Sequence, residues 1–111
     1  MAVRIDYEYR DAGNYRRGGS WTVPGTADEA ALIETLTSDG FFVPDAVGIP
    51  MLTPGGGEWD DDVDHSFHSI QSVTQTDQPI DEDRDFDAVL KAFASADWDR
   101  SAVEHAMALA A

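Results

Sequence analysis

The chain has no cysteine, a single lysine (Lys91) and no apolar run near the length of a membrane span. The missing cysteines exclude disulfides, thiolate metal sites and thiol nucleophiles, and they fit a reducing, cytoplasmic setting. A bilayer span takes about 20 apolar residues, so no transmembrane helix is expected. The opening MAVRIDYEYR alternates charged and apolar residues, which is not the pattern of a signal peptide. Bases are scarce throughout: 7 stand against 22 acids, for a net charge of −15, and 16 of the acids are Asp. Residues 24–111 hold 19 acids and 3 bases. Such a surface repels phosphates, so direct nucleic-acid binding is not expected, while a basic protein surface would be attracted. Two other accounts of the charge stand beside that one. High net charge keeps small proteins soluble, and an Asp-rich, lysine-poor composition suits a high-salt cytosol. With 111 residues, 42% of them hydrophobic, the chain is long enough for one domain spanning residues 1–111 with its own core.

Local patterning gives the elements. VRIDYEY alternates with period two and predicts a half-buried strand, with Val3, Ile5, Tyr7 and Tyr9 facing one way. DAGN is turn chemistry, because Gly and Asn tolerate positive φ. YRRGGSWTV, residues 15–23, reads as the return strand of a hairpin. Gly18 and Gly19 in its middle imply a bulge or a close backbone approach. TADEAALIETLTSDG predicts a helix that starts at a Thr26/Glu29 capping box, places Leu32, Ile33 and Leu36 on one face and stops at Gly40. Pro44, Pro50 and Pro54 break the apolar stretch that follows, which predicts an ordered, partly buried loop. HSFHSIQSVTQT, residues 65–76, reads as a third strand, with Phe67 and Val73 on one face and His68 and Ile70 on the other. A helix over 86–96 follows, capped by Asp85. A last helix covers roughly 101–110, with Ser101 and Glu104 at capping-box spacing and an apolar stripe of Val103, Ala106, Met107 and Ala110. The order is β-β-α-β-α-α. The expected fold is α+β, a small antiparallel sheet of about three strands with the helices packed on one face.

Three strings occur in sequence: DAGNYRRGGSWTVPG, SDGFFVPDAVGIPML and DHSFHSI. On these the chain, from about residue 5 to residue 76, resembles a family of small bacterial and phage proteins that share DAxNY(K/R) and DHx(W/F)H segments and have no assigned activity. That family commonly has an acid where this chain has Ser69. The resemblance implies the domain outline and singles out the turn at residues 11–15 and the segment at residues 64–68. It implies no mechanism.

The stretch GEWDDDVDHSFHSI, residues 57–70, concentrates the candidate chemistry. Asp64, His65 and His68, with Asp60 and Asp62 nearby, form a carboxylate and imidazole set that suits a divalent ion such as zinc, manganese or iron. In an extended segment His65 and His68 point to opposite faces, so a shared ion requires a bulge or a strand that begins after His65. An EF-hand does not fit, because His65 stands where Gly is needed and Gln71 where the bidentate Glu belongs. TPGGGEW lacks the Gly-Lys-Ser/Thr end of a phosphate-binding loop. Ser66, Ser69 and Ser72 have no nucleophile elbow around them. No catalytic residue is assigned and no cofactor is expected, with a divalent metal at His65/His68 as the alternative.

The charge supports a different function. Glu58, Trp59, Asp60, Asp61, Asp62 and Asp64 form one acidic run, and Asp81, Glu82, Asp83, Asp85 and Asp87 form another; the two flank the third strand. Carboxylates spaced along loops can imitate a phosphate backbone and draw in Arg/Lys grooves by steered, salt-sensitive association. The expectation is a non-catalytic acidic binding protein, an inhibitor or nucleic-acid mimic of the anti-defence or immunity type. Its partner would be a basic protein surface, such as that of a nucleic-acid-binding protein. Trp59 and Trp98, each beside acids, would serve as interface anchors if exposed. The alternatives are a small metal-binding protein or metalloenzyme, and a housekeeping protein with a salt-adapted surface.

Overall fold

A computed structural model of the chain describes residues 1–52 and 65–110. It is α+β, with one four-stranded antiparallel sheet and three helices. The strands are β1 (Ala2–Arg10), β2 (Arg16–Pro24), β3 (Phe41–Phe42) and β4 (His68–Thr76), in spatial order β2-β1-β4-β3. The helices are α1 (Glu29–Ile33), α2 (Phe86–Ser95) and α3 (Trp98–Ala110), and a single 3-10 turn covers Pro44–Val47. The expectation of about three strands misses β3, which is two residues long and too short to leave a period in the sequence.

β1 is central, and its alternation does what the pattern predicts. Val3, Ile5, Tyr7 and Tyr9 are buried on the face that carries the helices, while Arg4, Asp6, Glu8 and Arg10 lie on the open face. The turn into β2 is closed by Asp11, whose carboxylate accepts the Tyr15 N–H at 2.9 Å, and Asn14 takes the positive φ of 68°. β1 and β2 then pair without a break from Arg10↔Arg16 to Ala2↔Pro24. Gly18 and Gly19 therefore sit in no bulge. Gly19 marks a close approach instead, since a Cβ there would lie 2.8 Å from Leu52 Cδ2.

The bulge is in β4. Tyr7 pairs with Ile70 and Asp6 with Ser72, which leaves Gln71 without a partner in β1. One extra residue reverses the alternation, so His68, Ile70 and Val73 all face the core, while Phe67, just before the strand, is half-buried at the edge of that core. The expected split of Val73 from His68 and Ile70 is thereby corrected.

The helices cover the core face. Phe42, with no exposed surface, meets Tyr7, Phe93 and Trp98 at ring separations of 5.9, 5.2 and 6.2 Å. α1 is a five-residue helix rather than the long one expected over 26–40. Asp28, not Thr26, caps it by accepting the Ala31 N–H, and the Glu29 carboxylate reaches across to accept the Val73 N–H on β4 at 3.0 Å. The chain beyond α1 folds back as a turn in which Thr37 Oγ1 accepts the Phe41 N–H at 3.0 Å. α3 begins three residues earlier than expected and packs through Trp98 and Ala102. The stripe expected to bury Val103 and Met107 leaves them 58% and 67% exposed. No helix among the described residues is long and apolar enough to cross a membrane.

Candidate functional site

The two histidines of the DHSFHSI segment meet at one aromatic ring. Tyr9 lies with its centroid 5.1 Å from the His65 ring and 5.3 Å from the His68 ring. β4 begins only at His68, so residues 65–67 are not held to strand geometry and His65 does not turn away from His68. Each imidazole is committed to backbone. His68 donates from Nδ1 to the Ser66 carbonyl (3.1 Å) and accepts at Nε2 from the Leu52 N–H (3.1 Å). His65 accepts at Nδ1 from the Phe67 N–H (3.0 Å) and donates from Nε2 to the Arg10 carbonyl (2.7 Å). A neutral imidazole has one lone pair, and in both rings that lone pair is taken by a backbone N–H. A metal at His65/His68 would have to displace one of these bonds, and Asp64 lies outside the described residues. Among the described residues no three His, Cys, Asp or Glu side chains are grouped to hold an ion.

Burial holds His68 neutral. Only 1% of it is exposed, and desolvation lowers its pKa to about 4; the Ser66 carbonyl opposes that shift, while His65 and His105 add to it. Burial likewise pushes the Tyr7 phenol up to about 12, with the Asp81 carboxylate adding to the effect, and its hydroxyl donates to the Pro50 carbonyl at 2.7 Å. Together these contacts hold the described residues on either side of 53–64. Tyr7 and His68 hold Pro50 and Leu52 on one side. On the other, Tyr9 Oη accepts the His65 N–H at 3.3 Å.

α3 contributes a residue that sequence spacing could not place. His105 Nδ1 lies 2.8 Å from Ser66 Oγ, which is also 3.4 Å from the Ala102 carbonyl. The pairing resembles a nucleophile and its base. Ser66 is 2% exposed, however, so no substrate carbonyl reaches its oxygen, and the contact fastens α3 to the start of β4.

The acidic run at residues 81–87 proves to be of two kinds. Asp81 closes the free edge of β2, since its carboxylate accepts the Thr22 N–H (2.8 Å) and its own N–H donates to the Thr22 carbonyl (2.7 Å). Glu82 accepts from Trp21 Nε1 at 3.0 Å and pairs with Arg84, whose Nη2 donates to the Val47 carbonyl. Asp85 caps α2 by accepting the Ala88 N–H at 2.9 Å. Asp83 and Asp87 are exposed and make no hydrogen bond or ion pair among the described residues, and Asp87 lies in the first turn of α2. The other run, Glu58, Trp59, Asp60, Asp61, Asp62 and Asp64, lies outside the described residues. Trp98 is not the exposed anchor considered from its acidic neighbours. It is 7% exposed, and its Nε1 donates to the Thr35 carbonyl at 2.8 Å.

Sequence reasoning did not find a cleft of about 670 Å³ at the N-terminal end of α3, where Asp39, Asp97 and Asp99 stand around Phe41 and Phe67. The two phenyl rings, 6.2 Å apart, come from β3 and from the residue preceding β4. The only trace of this grouping in the sequence is the string of acids beside Trp98. No protein-family model, no curated protein and no solved structure matches the chain.

Proposed function

We propose that the chain is a non-catalytic acidic binding protein that engages a basic protein surface, as an inhibitor or nucleic-acid mimic. The observation that carries this reading is uncompensated charge. The chain is −15 overall, and the three ion pairs among the described residues use only Asp6, Glu82 and Glu104. Asp39, Asp83, Asp87 and Asp99 are exposed with no partner among the described residues. Pro50 and Leu52 are held by Tyr7 and His68, and His65 by Tyr9, on either side of residues 53–64, which carry the other acidic run in the sequence. Around Asp39, Asp97 and Asp99 the phenyl rings of Phe41 and Phe67 add a stacking surface for a guanidinium.

The test is capture of a basic partner from host extract, followed by its binding constant as a function of salt for the wild type and for a variant with Asp60, Asp61, Asp62, Asp83 and Asp87 changed to Asn. This set spares Asp81, Glu82 and Asp85, the acids of the second run that make fold-closing hydrogen bonds. The expected result is weaker binding and a shallower salt dependence in the variant. Equal affinity and an unchanged salt slope would refute charge mimicry. The salt-adapted reading predicts something else: no partner, and a melting temperature that climbs steadily into molar KCl.

A further inference from the structure

The open face of the sheet carries a second cleft, of about 510 Å³, at the hairpin end. Its walls come from different elements. The β1–β2 register sets Arg10 directly opposite Arg16, a like-charge cross-strand pair that disfavours the hairpin unless something neutralises it. Neither guanidinium makes an ion pair among the described residues, although Arg4, Arg84 and Arg100 each have a carboxylate partner. Arg17 and Lys91 are likewise without an ion pair among the described residues, but only Arg10 and Arg16 stand opposite each other and line this cleft. Asp11 lines the cleft, but one of its oxygens is held by the Tyr15 N–H in the turn.

The opposite wall is aromatic. Phe41, 38% exposed, and Phe67 face the cleft, brought there by the pairing of β3 with the start of β4. Between the two walls lie Glu8 of β1 and, from β4, Ser69 and the bulge residue Gln71, which donates to Ser69 Oγ at 3.1 Å. The volume falls in the range of small-ligand sites, roughly 300–1,000 Å³. The volume is enough for one nucleotide-sized molecule.

We propose that this cleft binds a small planar anion: an aromatic ring carrying a phosphate or a carboxylate. The anionic group bridges Arg10 and Arg16 in the forked geometry that guanidinium favours, and the ring packs on Phe41 and Phe67. Glu8 and Gln71 offer an acceptor and an amide to the ring edge, which favours rings that carry N–H donors, as nucleobases do. This site shares Phe41 and Phe67 with the acidic cleft, but its anion contacts are Arg10 and Arg16, which the acidic-surface reading does not use.

The experiment is a ¹H–¹⁵N NMR titration of the full chain with three probes: adenosine monophosphate, benzoate and inorganic phosphate. Saturable shifts confined to the amides around Arg10, Phe41 and Ser69 are expected with adenosine monophosphate or benzoate. Dissociation constants of about 1 mM or below are expected, with inorganic phosphate at least about tenfold weaker because it lacks the ring. Arg10→Gln combined with Arg16→Gln should weaken the aromatic probes about tenfold or more, and Phe41→Ser should weaken them while leaving inorganic phosphate unchanged. All three positions are exposed, so the unperturbed remainder of each variant's spectrum verifies folding. No localised shift at about 10 mM, a ringless phosphate that binds as well as the aromatic probes, or shifts that persist in the double arginine variant would each overturn the proposal.

Discussion

Acid should act on this protein through His68. The ring is 1% exposed, its Nε2 accepts the Leu52 N–H, and desolvation lowers its pKa from 6.5 to about 4. Protonation turns that acceptor into a donor facing another donor, so the bond that ties Leu52 to the sheet is lost. A folded-state pKa below the unfolded value means that the unfolded chain binds the proton first. The contribution is therefore complete above pH 6.5, declines as pH falls between 6.5 and about 4, and is gone below that. At roughly 1.4 kcal/mol per pKa unit, the full effect is about 3 kcal/mol, of which about 2 kcal/mol is lost by pH 5. The same acidification relieves repulsion among 22 carboxylates, which works in the opposite direction. A comparison with His68→Phe separates the two, since the variant keeps the carboxylates and loses the titrating ring. Urea unfolding of both proteins from pH 7.5 to pH 5 is the assay. The variant starts less stable because it orphans the Leu52 N–H. The stability difference between wild type and variant should shrink by about 2 kcal/mol over that range, a relative fall of about 1–2 M in the wild-type midpoint. A difference independent of pH, or an NMR titration of His68 centred near 6.5, would refute the reasoning.

Other perturbations follow from single contacts. Asp85→Ala should cost about 1 kcal/mol by uncapping α2, whereas Asp87→Ala, one turn position away with nothing to hold, should stay within about 0.5 kcal/mol of wild type in the same denaturation assay. Gly25 has φ 124°, and a Cβ there would lie 3.2 Å from both Phe86 Cβ and its backbone nitrogen, so Gly25→Ala should cost about 2 kcal/mol or more. Phe42→Ala removes the ring shared by Tyr7, Phe93 and Trp98 and should cost about 3–5 kcal/mol, read as a loss of near-UV dichroism together with the midpoint. Treatment with EDTA followed by zinc or manganese should leave the melting temperature unchanged, because the lone pairs of His65 and His68 are spent on backbone N–H groups; a shift of several degrees would restore the metal reading.

The parts of the fold written in local pattern were legible. β1 shows its alternation, the turn shows Asp11 and Asn14, and α2 shows both its cap and its apolar spacing. What failed to show was set by contacts between distant residues. The bulge at Gln71 is a consequence of pairing with β1, and no residue in HSIQSV announces it, yet it decides that His68 and Val73 share a face. β3 exists because the Thr37–Phe41 turn delivers two residues to the free edge of β4. α3 carries two overlapping apolar spacings. Trp98 and Ala102 win because the larger ring finds a partner in the Thr35 carbonyl and an edge-to-face contact with Phe93 at 5.5 Å. For the candidate site, the sequence named His65 and His68 but could not show that both were already bonded, since their partners at Arg10 and Leu52 are far away in the chain.

The acids themselves are sorted by hydrogen bonding. Asp28, Glu29, Asp81, Glu82 and Asp85 each accept a bond that ends a helix, closes a strand edge or holds a tryptophan. Asp39, Asp83, Asp87 and Asp99 make no such bond among the described residues, so charge is what they supply. The two sets interleave: Asp83 lies between Glu82 and Asp85. Neutralising the whole run at 81–87 would therefore open the β2 edge and the α2 cap, and any loss of binding would reflect unfolding. Changing Asp83 and Asp87 to Asn breaks no hydrogen bond among the described residues. It should leave the urea midpoint nearly unchanged, since relief of self-repulsion offsets the loss of Asp87's charge from the first turn of α2. If it weakens a basic partner at low salt and not at high salt, the surplus charge is what binds. If it lowers the midpoint instead, these two carboxylates are part of the fold, and the division between structural and surplus acids is wrong.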